Sequence, residues 1–136
     1  MTPPEKTVLI VDDDTDFVAA VSFYLESNGF KVLAAQDGKE GLKVARMARP
    51  DVIILDIIMT ERTEGLFAAQ EIRRTPELRG VPVILVSSLY SVVPDFTVQP
   101  DASWMGCRDF LPKPVNPPQL LEKIRALLEV KQEAAR

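Results

Sequence analysis

Four places in this sequence carry groups that could act together on a phosphoryl ligand. Asp12, Asp13 and Asp14 follow directly on the apolar run ending at Val11, and Asp56 closes a second apolar run, Val52-Ile-Ile-Leu55. Ser87 follows Val81-Pro-Val-Ile-Leu-Val86, and Lys113 follows Asp109-Phe-Leu-Pro112. Taken singly, each has an ordinary explanation: Asp14 a helix N-cap, Asp56 a cap or loop carboxylate, Ser87 a loop hydroxyl, Lys113 a solvated charge. Taken together, carboxylates gathered at one place repel one another and lose hydration on burial. A hard divalent cation relieves both effects, and magnesium suits one or two carboxylates plus water and a phosphate oxygen. A hydroxyl and an ammonium beside the same carboxylate would stabilise the equatorial oxygens of a phosphoryl group by fixed charge.

Bringing these groups together requires that the strand ends share one edge. The run from Lys6 to Val11 reads as a first strand, and Phe17, Val18, Val21, Tyr24 and Leu25 fall at helical spacing between an N-cap at Asp14 or Thr15 and a stop at Asn28-Gly29. Residues 30–35 read as a second strand. A second helix opens at Asp37-Gly38, runs through Leu42, Val44, Ala45 and Met47 and closes before Pro50. The stretch from Asp51 to Met59, with Asp56 inside it, reads as a central strand covered on both faces. Glu64 to Arg74 carries Leu66, Phe67, Ala69 and Ile72 as a third helix, ended by Thr75-Pro76. Residues 81–86 give a fourth strand. From Leu89 to Arg108 the pattern is irregular, broken by Pro94 and Pro100, with at most a short helix near Asp101 to Met105. A brief fifth strand spans 109–111, and a final helix starts at Pro117 or Pro118 and uses Leu120, Leu121, Ile124, Leu127 and Leu128. The alternation predicts an α/β fold with a doubly wound five-stranded parallel sheet of order 2-1-3-4-5. Its switch point lies between strands one and three, so Asp12, Asp13 and Asp56 are expected to flank one crevice.

Composition narrows the chemistry further. With 136 residues, 46% hydrophobic and 26% charged, the chain is expected to form a single domain, residues 1–136, with a core of about 6–129 and flexible ends at 1–5 and 130–136. Zero histidines and one cysteine argue against zinc sites and against Cys-His or Ser-His-Asp nucleophiles, so a metal must be held by oxygen. A net charge of −4 argues against nucleic acid as a direct partner. The absence of a long apolar run or a signal-peptide h-region predicts a cytoplasmic protein without membrane insertion.

The motifs Val-Leu-Ile-Val-Asp12-Asp13-Asp14, Val-Ile-Ile-Leu-Asp56-Ile-Ile-Met59, Val-Ile-Leu-Val-Ser87-Ser88 and Asp-Phe110-Leu-Pro-Lys113-Pro114 together resemble the receiver domain of bacterial two-component response regulators, over about Lys6 to Glu129. The resemblance implies the flavodoxin-like variant of the predicted fold. It implies that Asp56 accepts a phosphoryl group, and that Asp13 and Asp56 bind Mg²⁺ directly. Asp12 would act mainly through water, and the backbone carbonyl of Ile58 would be a further ligand. Lys113 would pair with the phosphate, Ser87 would move to bond it, and Phe110 would be the switch aromatic, although an aromatic at that place is also an ordinary core residue. The Lys113-Pro114 bond is expected to be cis. Implied partners are a sensor histidine kinase or phosphotransfer protein and a downstream protein target, with a homodimer left open. The protein would be a stand-alone switch without an output domain, and not a turnover enzyme.

The sequence departs from the family in two places. Thr60 replaces the usual proline after Asp56, and the segment between Ser87 and Lys113 is longer and richer in proline, which predicts a shortened or irregular fourth helix. Trp104 in that segment is either an exposed partner anchor or packed over the sheet edge. A different class of reading is a phosphorylation-independent interaction module on the same fold. A haloacid-dehalogenase-type hydrolase with Asp12 as nucleophile is disfavoured by Asp16 and by the lack of room for a cap. A calcium loop starting at Asp12 is disfavoured by Phe17 and Phe23.

Overall fold

The computed structural model describes residues 6–56, 64–87 and 109–134, with side chains described at 6–56, 68–86, 111 and 113–129. Strands β1 (Thr7–Val11), β2 (Lys31–Ala35), β3 (Val52–Asp56), β4 (Val83–Ser87) and β5 (Asp109–Pro112) form one parallel sheet in the order β2-β1-β3-β4-β5. This is the predicted order. The register sets Val11 beside Leu55 and Ala35, and Asp56 beside Val86, so the carboxyl ends of the inner strands lie level with one another.

Period-two alternation divides the core between the two sheet faces. Leu9, Val11, Ile53, Leu55, Val83 and Leu85 pack under α2 (Gly38–Ala48) and α3 (Glu64–Arg74). Val8, Ile10, Val52, Ile54, Ile84, Val86 and Leu111 pack under α1 (Thr15–Ser27) and α4 (Pro117–Ala134). Leu9, Ile10, Ile53, Ile54, Ile84 and Leu85 are wholly inaccessible to solvent, and each such side chain contributes about 1.5–3 kcal/mol relative to exposure. Because both faces are covered, β1, β3 and β4 read as continuous apolar runs rather than alternating ones.

The helices start where polar side chains can cap them. Asp14 Oδ1 accepts from Phe17 N at 3.1 Å, Asp37 Oδ1 from Glu40 N at 2.7 Å, and Asn116 Oδ1 from Gln119 N at 3.1 Å. Of the two residues considered for the first cap, Asp14 holds it. At the other end of the strands, Thr7 N donates to Asp51 Oδ2 and Asp51 N to Thr7 O, both at 2.8 Å, joining the entries of β1 and β3.

Several details correct the sequence reading. Met47, one of the apolar residues marking the second helix, is 77% exposed. The buried face of α2 is Gly38, Gly41 and Ala45, a small-residue stripe at helical spacing, and a Cβ built on Gly41 would lie only 2.8 and 2.9 Å from the methyls of Val11. Close approach to β1 therefore sets which way α2 faces, and Met47, two positions beyond Ala45, turns outward. Helix α4 runs to Ala134, because Val130-Lys-Gln-Glu-Ala134 contains good helix formers and no Gly or Pro to stop it. After α3 a short 3-10 turn, Pro76–Leu78, buries Leu78, and β4 begins two residues later than expected, at Val83. The Asp56 strand is described only to Asp56 of the expected 51–59 stretch. Residues 89–108, where an irregular fourth helix and a role for Trp104 were expected, lie outside the described residues.

Candidate functional site

Strand alternation itself selects the residues that meet. Counting in twos from Val8 and Ile10 reaches Asp12; from Val52 and Ile54 it reaches Asp56; from Leu111 it reaches Lys113. All three continue the rows that lie under α1 and α4. The ladder extends far enough to hold the first of them, since Asp12 N donates to Ala35 O at 3.0 Å beyond the end of β1.

Asp12 and Asp56 are buried, 1% and 4% exposed, and Asp13 beside them is exposed. Lys113 Nζ lies 2.9 Å from Asp12 Oδ2 and 3.4 Å from Asp56 Oδ2, so one ammonium spans two buried carboxylates from different strands. The Lys113-Pro114 peptide bond next to it is cis, as expected. Burial draws the Lys113 pKa down, but the short contact with Asp12 and the charges of Asp56 and Asp12 outweigh it, leaving the group above the ordinary lysine value.

Asp12 is held from two sides. Its Oδ1 accepts from Asp14 N at 2.9 Å, which ties the carboxylate to the turn that caps α1. Its Oδ2 is buried and receives no directed hydrogen bond from the described residues, although the lysine charge is 2.9 Å away. Distance alone makes that contact an ion pair, and its alignment leaves the oxygen open to a further electropositive partner.

One oxygen from each of Asp12, Asp13 and Asp56 lies within 4.8 Å of the others. Among the described residues, the three carboxylates of this group outnumber the Lys113 ammonium that spans two of them. A magnesium ion about 2.1 Å from its ligands separates opposite oxygens by roughly 4 Å, so this group has the right scale for two direct carboxylates with others reached through water. The donor set, all oxygen and partly open through Asp13, suits a hard divalent cation.

Sequence reasoning overlooked one member of the site. Lys113 Nζ sits over the ring of Phe17, 4.6 Å from its centroid. In the sequence Phe17 belongs to the apolar face of the first helix, and it does pack there against the core. Its place one turn from the acidic cluster, three residues after the cap Asp14, was the available signal. Of the other expected site residues, Ser87 ends β4 opposite Pro112, and Phe110 lies in β5 opposite Leu85. Their side chains, and Ile58 altogether, lie outside the described residues.

The model of the response regulator receiver domain matches residues 8–125. The chain belongs to the response regulator receiver family. This receiver is 34% identical over 124 residues to protein PilH of Pseudomonas aeruginosa, which covers 89% of this chain and 96% of PilH. It is 36% identical over 121 residues to response regulator MprA of Mycolicibacterium vanbaalenii, covering 89% of this chain but 49% of that protein, so it spans about half the length of this relative. Among solved structures, the chemotaxis response regulator CheY4 of Vibrio cholerae superposes with a TM-score of 0.78 at 31% identity, covering 91% of this receiver and 99% of that chain. The expected flavodoxin-like receiver fold is thus the observed one. Receivers are signalling modules of two-component systems. No described helix of this one is long and apolar enough to cross a membrane.

Proposed function

We propose that this receiver is a phospho-acceptor switch in which Asp56 takes a phosphoryl group from a sensor histidine kinase or a phosphotransfer protein. An Asp56 carboxylate oxygen forms a bond to phosphorus while the donor's P–N or P–O bond breaks, and the electron pair of that bond leaves on the donor. The observation that carries this reading is the buried Asp56 carboxylate, paired with Lys113 at 3.4 Å and clustered with Asp12 and Asp13. Lys113 is placed to hold charge that develops on the phosphoryl oxygens, and its raised pKa keeps it cationic at neutral pH.

The acidic cluster fits Mg²⁺, which when bound supplies charge neutralisation at the phosphoryl oxygens. Asp13 and Asp56 would hold it directly, Asp12 mainly through water, and the Ile58 carbonyl would complete the protein ligands. In the same reading Ser87 bonds the phosphoryl group and Phe110 follows that movement. Asp12 has a second task, because its Oδ1 anchors the turn while its Oδ2 orients the ammonium.

The phosphorylated form would bind a downstream protein differently from the unmodified one, in the cytoplasm, with residues of about 6–129 acting as one receiver domain. Intact mass measurement after incubation with acetyl phosphate and Mg²⁺ tests the proposal. One phosphoryl group is expected on the wild type and none on Asp56→Ala. Equal labelling of both, or of neither, would return the chain to a phosphorylation-independent interaction module.

A further inference from the structure

We infer that Phe17 is a positioning residue for Lys113, holding the ammonium over the face of its ring so that the charge stays at the site while its carboxylate partners change. This rests on the proposal that Lys113 acts on the phosphoryl group at Asp56. Lysine has a long, rotatable stem, and an ammonium is a compact charge with no preferred plane. Three contacts of Nζ stand out among the described residues: the carboxylates of Asp12 at 2.9 Å and Asp56 at 3.4 Å, and the Phe17 ring centroid at 4.6 Å. Two of these do not survive phosphorylation unchanged. Asp56 becomes an acyl phosphate, and a cation among the carboxylates competes with the ammonium for Asp12. The ring neither titrates nor binds metal, so it is the constant member of the three.

The ring is itself well fixed. Phe17 stands in the first turn of α1, its N–H donates to Asp14 Oδ1 at 3.1 Å, and its side chain packs on the core between the sheet and α1 and α4. Asp14 N in turn donates to Asp12 Oδ1. One short turn therefore sets both the carboxylate and the ring that bracket the lysine. A merely structural Phe17 would need only its apolar volume, which leucine largely supplies. A positioning Phe17 needs the ring face, which tyrosine keeps and leucine lacks.

The test follows labelling of Asp56 by acetyl phosphate with Mg²⁺, in which the new Asp56 oxygen to phosphorus bond forms as the P–O bond to acetate breaks and acetate leaves with the electron pair. Phe17→Leu is expected to slow labelling about threefold to thirtyfold, and Phe17→Tyr to stay within roughly twofold of wild type. In a Lys113→Met background, Phe17→Leu should add less than about a twofold further change, since the coupled partner is gone. Labelling of Phe17→Leu at the wild-type rate, or an equal loss with and without Lys113, would overturn the inference while leaving Asp56 as acceptor. A second readout is independent of phosphorylation. The ε-methylene protons of Lys113 should show an upfield ring-current shift by NMR in the wild type and in Phe17→Tyr, and lose it in Phe17→Leu. Unshifted protons in the wild type would refute the geometry itself, whether or not Asp56 accepts phosphate.

Discussion

Replacing Lys113 by methionine should destabilise the metal-free protein and make it more dependent on magnesium. The side chains of Asp12 and Asp56 are 0% and 6% exposed, and the lysine they share is 16% exposed. Removing one partner of a buried pair typically costs about 3–5 kcal/mol, because the remaining charge is left uncompensated. Asp13 opens the cluster to water, so the lower end applies, about 3 kcal/mol. Magnesium should then bind the variant more tightly than the wild type, since no ammonium competes for Asp12 and Asp56. A tenfold gain in affinity would close about 1.4 kcal/mol of the stability gap at saturating metal. Urea unfolding of both proteins in EDTA and in excess Mg²⁺ measures all four quantities. A Lys113→Met protein as stable as wild type in EDTA, or a gap of the same size in both buffers, would refute the reasoning that one lysine compensates this cluster.

Three further perturbations probe the frame around the site. Gly41→Ala should lose about 1–2 kcal/mol in urea unfolding, because the added methyl meets Val11 at 2.8–2.9 Å and that strain exceeds the helix-propensity gain of about 1 kcal/mol. Arg49 closes α2 in the left-handed region at φ 49°, so Arg49→Gly should raise stability by about 0.5–1 kcal/mol in the same measurement. The pKa of Lys113 is raised on folding, so the stability it contributes is complete below the unfolded lysine value of about 10.4 and is lost as pH rises through the higher folded value. A series of urea midpoints should therefore show an alkaline fall in the wild type that is reduced in Lys113→Met, and an identical fall in both would contradict the ion pairs.

Much of this molecule was legible from residue order alone, for physical reasons that can be named. The strands were recognisable because burial on both faces forces continuous Val, Ile and Leu, as in Val52 to Leu55. The acidic cluster was recognisable because a carboxylate at the end of such a run needs a compensating partner. What escaped depends on three-dimensional approach. The inward face of α2 is a stripe of glycine and alanine, so hydropathy pointed to Met47, which faces outward. The contact between Phe17 and Lys113 joins residues 96 positions apart through two different elements, and an aromatic with a good core explanation gives no hint of a second use. The start of β4 at Val83 was blurred because the apolar run begins earlier, at Val81, and the 3-10 turn at Pro76–Leu78 has too few residues to show a period.

The paired rows of the sheet make insertions unequal. One extra residue between Ile54 and Leu55 would turn Asp56 toward the layer of α2 and α3, away from Asp12 and Lys113, while leaving the strand equally apolar. The same insertion in the turn between β2 and α2 would leave all three charges where they are. Length variation in this protein can therefore accumulate between elements but not within β1 or β3. A library of single-residue insertions, scored first for folding and then for magnesium binding, would separate the two kinds of position: those in the strands would lose the cation before they lost the fold.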